Sequence, residues 1–265
     1  MKIKSFKIFC NNNDKSYEVR KTLHDKLINN SFVYKEDNYD LAIAIGGDGS
    51  FLRMVKENNF DSNIMYVGVN AGTLGFAQEV SVDEIDDFIE ELKMDDYKVE
   101  KIGILENKIL TDNKEESFYA LNEIVIRDKD LKTVNLDVSL DGLYIERFIG
   151  DGMLISTPFG STAYNLSAGG SIIYNTFHAI QLTPIAPINN KSYKTLSNSV
   201  ILPEGMHITL KPTEKNTDIL VQIDGENKYY SDAVLVDSVL NKKRINCLRR
   251  KDYNFSKKIN EKFLK

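Results

Sequence analysis

The segment Gly46-Gly47-Asp48-Gly49-Ser50 has the composition of a phosphate-binding turn that also carries an acid. Glycines allow positive φ angles and close approach of the backbone to a phosphate, and a following helix N-terminus favours negative charge. A carboxylate is unusual in a simple phosphate cradle. Asp48 is therefore predicted to orient or deprotonate a hydroxyl, or to help hold a divalent metal between phosphates. A tight turn with aspartate as a helix cap is the structural alternative.

A second glycine-containing segment, residues 70–76, has the sequence NAGTLGF and follows the next apolar strand along the chain. Neighbouring parallel strands end at the same edge of a sheet, where α/β proteins bind ligands. The two turns are therefore predicted to form one site.

The elements that position these turns are apolar strands alternating with helices. Ser81 is a plausible cap for the third helix. Because no hairpin turn separates the strands, the pattern is typical of a parallel sheet with helices on its faces. The predicted strands are residues 3–10, 40–45 and 64–69, and the predicted helices are 15–29, one beginning near residue 50, and 81–92.

From about residue 100 the apolar pattern changes to a period of two, which indicates a β-rich region. Residues 133–140 and 143–149 flank Asp141-Gly142, which is a hairpin signature. We predict a Rossmann-like parallel α/β lobe (1–100), a β-rich lobe (101–240), and a C-terminal segment (241–265) whose helix packs back on the first lobe. Further strands are predicted at 118–126, 153–157, 199–202, 206–211 and 218–223, and the last helix at 253–264.

Polar residues in the β-rich half also suggest a ligand site. Asn122 and Glu123 interrupt an apolar run, where a buried polar pair needs partners such as ribose hydroxyls or an adenine edge. Residues 150–171 combine five glycines with hydroxyl groups and Tyr164, which suits a segment that wraps a nucleotide. The alternatives are a pair satisfied by neighbouring backbone, and a tyrosine that simply packs in the core.

Four motifs in this order resemble those of the bacterial NAD kinases: GGDG after an apolar strand, GVNAGTLGF, LNEIVI and FIGDGMLISTPFGSTAYNLSAGG. The resemblance covers roughly residues 40 to 230. GGDG alone is shared with lipid kinases and phosphofructokinases, whereas the ordered set is highly specific.

The resemblance implies transfer of a phosphoryl group from ATP, or another phosphate donor, to the 2′-hydroxyl of the adenosine ribose of NAD, giving NADP. It implies that Asp48 is catalytic, that magnesium accompanies the donor, and that the chain forms a homodimer or homotetramer with residues 172–200 at the contact. A lipid kinase with GGDG and a non-catalytic NADP-binding regulator are the alternatives. The implied nucleotide-binding residues are Gly46, Gly47, Gly49, Phe76, Asn122, Glu123, Asp151, Thr162, Ala163, Tyr164, Ser167 and Ala186.

Two positions depart from the family pattern. Many relatives carry a basic or polar residue where this chain has Ile149, so a contact to phosphate or base is expected to be missing. Glu226 follows the last Asp-Gly turn, where its charge would disfavour a nearby 2′-phosphate unless a metal or lysine offsets it. Both concern selectivity rather than the reaction.

The amino-acid composition further limits the class of protein to which the chain can belong. With 42% hydrophobic and 28% charged residues in 265, the chain is in the ordinary globular range. No apolar stretch approaches the roughly 20 residues of a membrane span, and no signal peptide is evident, so we expect a cytoplasmic protein without a membrane partner. Residues 241–265 hold ten Lys/Arg against two Asp/Glu, but their apolar stripe favours a packed strand and helix over nucleic-acid binding.

Overall fold

The structure is a computed structural model that describes residues 2–71, 75–191, 194–215 and 217–264. The chain divides into two compact units. Unit 1 comprises Met1–Ile102 and Arg244–Lys265, and unit 2 comprises Gly103–Lys243. None of the helices in the described part of the chain is long and apolar enough to cross a membrane.

Unit 1 is built on a parallel sheet, as the sequence predicts. Strand β1 pairs with β2 and β3, β3 pairs with β4, and β4 pairs with β5, all in parallel. Every residue of β3, LAIAIG, is buried, as expected of a parallel strand that is covered on both faces. The elements are β1 (Ser5–Cys10), α1 (Asp14–Asn29), β2 (Val33–Tyr34), β3 (Leu41–Gly46), α2 (Asp48–Glu57), β4 (Met65–Asn70), β5 (Gln78–Ser81) and α3 (Ile85–Met94).

Local capping explains where the helices of unit 1 begin. The Asn13 side chain accepts from the backbone N–H of Ser16 at 2.9 Å at the start of α1. Ser81 and Glu84 form a capping box at the short 3₁₀ turn Val82–Glu84, which leads directly into α3, so Ser81 is confirmed as the cap of this helical segment. The predicted start of α2 near Ser50 is two residues late, because Gly47 is the N-cap and Asp48 is the first helical residue.

Unit 2 is β-rich, as predicted. One antiparallel sheet has the order β13-β12-β11-β8-β15-β16, and a second set of strands has the order β10-β9-β14-β17. Side chains from both sets form one apolar core. The elements are β6 (Tyr97–Thr111), β7 (Glu115–Ala120), β8 (Glu123–Asp128), β9 (Val134–Leu140), β10 (Leu143–Gly150), β11 (Gly152–Ser156), α4 (Tyr164–Ser167), β12 (Ala179–Ile185), β13 (Val200–Pro203), β14 (Ile208–Pro212), β15 (Ile219–Ile223), β16 (Glu226–Tyr230) and β17 (Ala233–Arg250).

Two details of unit 2 test the strand predictions. The β9–β10 hairpin is confirmed, and its turn residues Asp141 and Gly142 have φ angles of 48° and 78°, which match the twist of the flanking strands. The single strand predicted at 118–126 is wrong. It is two strands, β7 and β8, because the chain breaks at Leu121 and Asn122, whose amides bond to a side chain instead of a neighbouring strand.

The basic C-terminal segment forms the packed strand and helix that its apolar stripe predicts. The end of β17 pairs in parallel with β4, and helix α5 (Phe255–Phe263) follows. Arg249 is only 2% exposed and bonds to Glu100 at 2.7 Å and Glu79 at 3.3 Å. Arg250 bonds to Glu91 at 2.9 Å. These cations therefore neutralise buried carboxylates of unit 1.

We predict that Arg249→Met destabilises the protein by about 3–5 kcal/mol, because it leaves the carboxylate of Glu100 without its buried cation and leaves Glu79 with only that of Lys258. Urea unfolding measures the change. Lys251→Met is the matched control, since Lys251 and its partner Asp96 are exposed and such pairs contribute little. Equal stabilities of the two variants would contradict the role of Arg249.

Candidate active site

The glycine turn joins β3 to α2, and Gly46 is the residue that the turn itself requires. Its φ is 147°, and a Cβ there would lie 2.2 Å from Oγ of Ser50 and 2.7 Å from Nδ2 of Asn11. Ser50 Oγ donates to Asn11 Oδ1 at 2.9 Å, which ties the turn to the end of β1. The protein's own packing therefore explains Gly46.

Gly47 and Gly49 have a different reason to be glycine. The expectation that they also supply positive φ is wrong, because Gly47 has φ −99° and Gly49 lies in the first turn of α2. Among the described residues, no atom lies within 4 Å of a Cβ at either position. As far as these residues go, the space above both backbones is therefore open, and a phosphate could approach the helix N-terminus there.

Asp48 does not cap its helix. Its Oδ2 accepts from the backbone N–H of Phe76 and its Oδ1 from that of Ala77, each at 2.9 Å. Phe76 is the last residue of the second predicted turn and Ala77 follows it directly, so the two turns do meet. Residues 72–74 of that turn lie outside the described residues.

Gly75 makes this contact between the turns possible. A Cβ at Gly75 would lie 1.8 Å from Oδ1 of Asp48 and 2.4 Å from its Cγ. Phe76, the next residue, packs its ring against Phe263 at 5.2 Å and Phe255 at 6.2 Å between centroids. The segment that binds Asp48 therefore depends on the absence of a side chain at Gly75 and on the packing of the Phe76 ring.

In unit 2, the carboxylate of Asp224 organises the backbone around Asn122 and Glu123. It accepts from the N–H groups of Leu121, Asn122 and Glu123 at 2.8, 2.7 and 3.2 Å. Asp224 is the aspartate of the last Asp-Gly turn, and the sequence analysis does not predict this function for it. An aspartate directly after an apolar strand was the available signal, but its partners are about 100 residues away.

Glu123 is 6% exposed, and its Oε2 has no hydrogen-bond partner among the described residues. Burial, together with the nearby charge of Asp224, raises the pKa of Glu123 to about 8. At neutral pH this carboxyl therefore keeps its proton and can donate a hydrogen bond. An unpaired buried polar atom favours a ligand as its partner over the alternative in which the backbone satisfies it.

The segment after β11 is held by a buried polar network. Thr157 Oγ1 donates to the carbonyl of Leu121 at 2.6 Å. Asn165 is buried and accepts from Thr183 Oγ1 at 2.7 Å, and a Cβ at Gly170 would lie 2.3 Å from its side chain. Residues 157–170 are therefore fixed against β12 and against the backbone beside Glu123.

Four more of the predicted residues lie in the segment that connects β11 to β12. Thr162, Ala163 and Tyr164 are half-buried and Ser167 is exposed. The Tyr164 hydroxyl accepts from Arg127, at the far end of β8, a contact that the sequence did not indicate.

Asp151 and Ala186 lie at the other end of β11 from Glu123. Asp151 is exposed and donates its N–H to Ile185, while Ala186 has φ 45°, uncommon for a residue with a side chain. Ser156 pairs with Glu123, so the two ends are about 16 Å apart along the strand. Within unit 2 the predicted residues thus follow an elongated path, which suits an extended ligand.

Magnesium has no evident protein cage here. Across residues 2–71, 75–191, 194–215 and 217–264, no three His, Cys, Asp or Glu side chains gather in a way that could hold an ion. Magnesium is commonly held by one or two carboxylates together with substrate phosphates. The donor set therefore fits a metal that enters with a phosphate substrate.

Solved structures resemble the chain in fold. Yeast NADH kinase complexed with NADH matches with a TM-score of 0.84 at 23% identity, over 99% of this chain and 88% of that one. An NAD kinase from Archaeoglobus fulgidus in complex with ATP matches with a TM-score of 0.75 at 18% identity, over 93% and 94%. These neighbours have the same parallel α/β lobe and β-rich lobe.

Sequence comparisons then identify the family. Residues 6–97 match the ATP-NAD kinase N-terminal domain and residues 121–240 the ATP-NAD kinase C-terminal domain. The NAD kinase of Finegoldia magna is 41% identical over 92% of both chains, and that of Streptococcus pneumoniae (strain 70585) is 38% identical over 86% of this chain and 83% of its own. The two family models and the curated relatives therefore define a phosphotransferase. The chain belongs to the NAD kinase family, and it phosphorylates NAD to NADP.

We predict that Gly75→Ala lowers kcat at least tenfold, because the added Cβ would overlap the carboxylate of Asp48 and displace it. Gly49→Ala is the contrasting variant, because no atom of the described residues lies within 4 Å of its Cβ. Helix α2 should then be as stable as in the wild type or slightly more stable, whereas KM for ATP or NAD should rise. Steady-state kinetics and thermal unfolding of both variants check this. Wild-type kcat in Gly75→Ala would contradict the importance of the contact.

Glu123 gives a pH prediction. Its folded-state pKa of about 8 exceeds the ordinary value of 4.5, so the folded protein binds the extra proton between these pH values. Its contribution to stability therefore falls as pH rises from about 4.5 to about 8. Glu123→Gln should be more stable than wild type at pH 9, by at most on the order of 5 kcal/mol, and nearly equal at pH 4.5.

Urea unfolding at the two pH values measures this difference. Glu226→Gln, at an exposed position, is the control and should change little at either pH. A Glu123→Gln difference that is independent of pH would show that the carboxyl is not held protonated.

Proposed function

We propose that Asp48 orients the 2′-hydroxyl of the adenosine ribose of NAD and accepts its proton while ATP donates the phosphoryl group. The supporting observation is the attachment of Asp48. Two backbone N–H groups hold its two oxygens, and an ionised carboxylate has about four acceptor positions. Acceptor capacity therefore remains for a hydroxyl, on a carboxylate whose orientation is already fixed.

Phosphoryl transfer asks little covalent chemistry of the protein, so positioning and charge stabilisation supply most of the rate. The open backbones of Gly47 and Gly49 at the N-terminus of α2 are suited to accept donor phosphates. The complex of the Archaeoglobus fulgidus NAD kinase with ATP supports ATP as the donor. Magnesium would enter as MgATP, where it neutralises phosphate charge.

The nucleotide is assigned to the predicted residues of unit 2. Protonated Glu123 would donate to a ribose or base oxygen, and Tyr164, fixed by Arg127, would offer an aromatic face. The set in unit 2 is completed by Asn122, Asp151, Thr162, Ala163, Ser167 and Ala186. In unit 1, Gly46 and Phe76 remain predicted nucleotide contacts. A homodimer or homotetramer and a cytoplasmic location belong to the same proposal.

The test uses purified protein with NAD, ATP and magnesium, and follows NADP with a coupled dehydrogenase. Asp48→Asn should lower kcat by about 10²–10⁴-fold, because the amide cannot accept the hydroxyl proton, while KM for NAD changes little. Asp86→Asn, an exposed aspartate on α3, is the control and should be as active as wild type.

Thermal unfolding should accompany the assay, because an amide at position 48 has only one oxygen for the two N–H groups of residues 76–77. Full activity in Asp48→Asn would remove the assigned role. Activity of the wild type with polyphosphate but not with ATP would contradict the assigned donor.

A further inference from the structure

The segment that holds Asp48 is itself held by the C-terminal helix. Phe76 and Ala77 donate their N–H groups to Asp48, and the next two residues, Gln78 and Glu79, accept from the ammonium of Lys258 on α5. Four consecutive residues of one short segment therefore face the proposed catalytic carboxylate on one side and a lysine on the other.

Lys258 is unusually placed for a lysine. It is 8% exposed, bonds to the Gln78 carbonyl and to Glu79 at 3.2 Å, and lies 5.3 Å from the centre of the Tyr253 ring. Burial lowers the pKa of Lys258, Arg249 adds to that effect, and Glu79 and Asp48 oppose it. A desolvated ammonium is costly unless it is well paired, so these contacts define its position closely.

The segment needs this support. The side-chain amide of Gln78 is buried, and neither its nitrogen nor its oxygen has a hydrogen-bond partner within the described residues. An unpaired buried polar group destabilises the conformation that buries it. Favourable contacts from α5 oppose this: the Lys258 bonds, and the packing of Phe76 against Phe255 and Phe263.

We propose that Lys258 is a positioning residue for the phosphorylation of NAD: through Gln78 and Glu79 it fixes the amides of Phe76 and Ala77, and these fix the carboxylate of Asp48. The inference rests on the proposed function of Asp48. It also gives the basic C-terminal segment a part in catalysis that neither packing alone nor nucleic-acid binding would provide.

Lys258→Met tests the proposal, because methionine keeps an apolar stem but loses the charge and the hydrogen bonds. We expect kcat to fall about tenfold or more, with KM for NAD and for ATP within about twofold of wild type. Lys258→Arg keeps a cation and its donors and should recover most of kcat. Lys257→Met, an exposed neighbour on the same helix, is the matched control and should equal wild type.

A second variant covers the case in which Lys258→Met does not fold. Phe263 is partly exposed and touches the Phe76 ring, so Phe263→Leu should leave the protein folded and lower kcat by about two- to fivefold at constant KM. Thermal unfolding reports folding for each variant. A folded, fully active Lys258→Met would overturn the proposal. If Lys258→Met does not fold, a wild-type kcat in Phe263→Leu would overturn it instead.

Combining substitutions separates this inference from the proposed function. If Lys258 acts through Asp48, Lys258→Met should cause little further loss in the residual activity of Asp48→Asn. An equal loss in both backgrounds would mean that Lys258 acts independently of Asp48, which overturns the inference. If Asp48→Asn is inactive and Lys258→Met has a wild-type kcat, only the inference about Lys258 is contradicted. If Asp48→Asn is fully active, the proposed function of Asp48 is itself contradicted.

Discussion

The attachment of the Asp48 carboxylate to two consecutive backbone amides is the interaction on which the structure of unit 1 around its glycine turn depends. It joins the turn after β3 to the segment that leads into β5, at the edge of the parallel sheet. The contact requires Gly75, because any side chain there would overlap the carboxylate. It also leaves part of the carboxylate's acceptor capacity free, which is what a group that orients a hydroxyl needs.

In unit 2, another aspartate also binds consecutive backbone amides, with a different structural result. Asp224 binds three consecutive amides at the break between β7 and β8, and so places Glu123 at the start of a buried strand. The nearby negative charge and the burial together keep Glu123 protonated at neutral pH. Asp224 thus shapes this loop, and its charge adds to burial, the larger cause, in keeping the neighbouring Glu123 protonated.

The fold class and most elements could be predicted from the sequence because they depend on local pattern. The buried run LAIAI, the helical stripes and the hairpin at Asp141-Gly142 each carry their own periodicity or turn chemistry. Predictions were wrong where a distant group decided the backbone. The strand expected at 118–126 is interrupted by Asp224, and Gly47 and Gly49 are glycines beside open space rather than residues with positive φ.

The sequence by itself determined the family, the phosphorylation of NAD and the acidic glycine turn, since the ordered motifs and the pattern around them are written along the chain. Only the tertiary structure decided what Asp48 touches, why Gly75 is needed, how Asp224 and Glu123 are coupled, and that Lys258 supports residues 78–79. The physical reason is separation along the chain. These contacts join residues from 27 to 180 positions apart, and hydrogen bonding and burial between such distant residues leave no local sequence pattern.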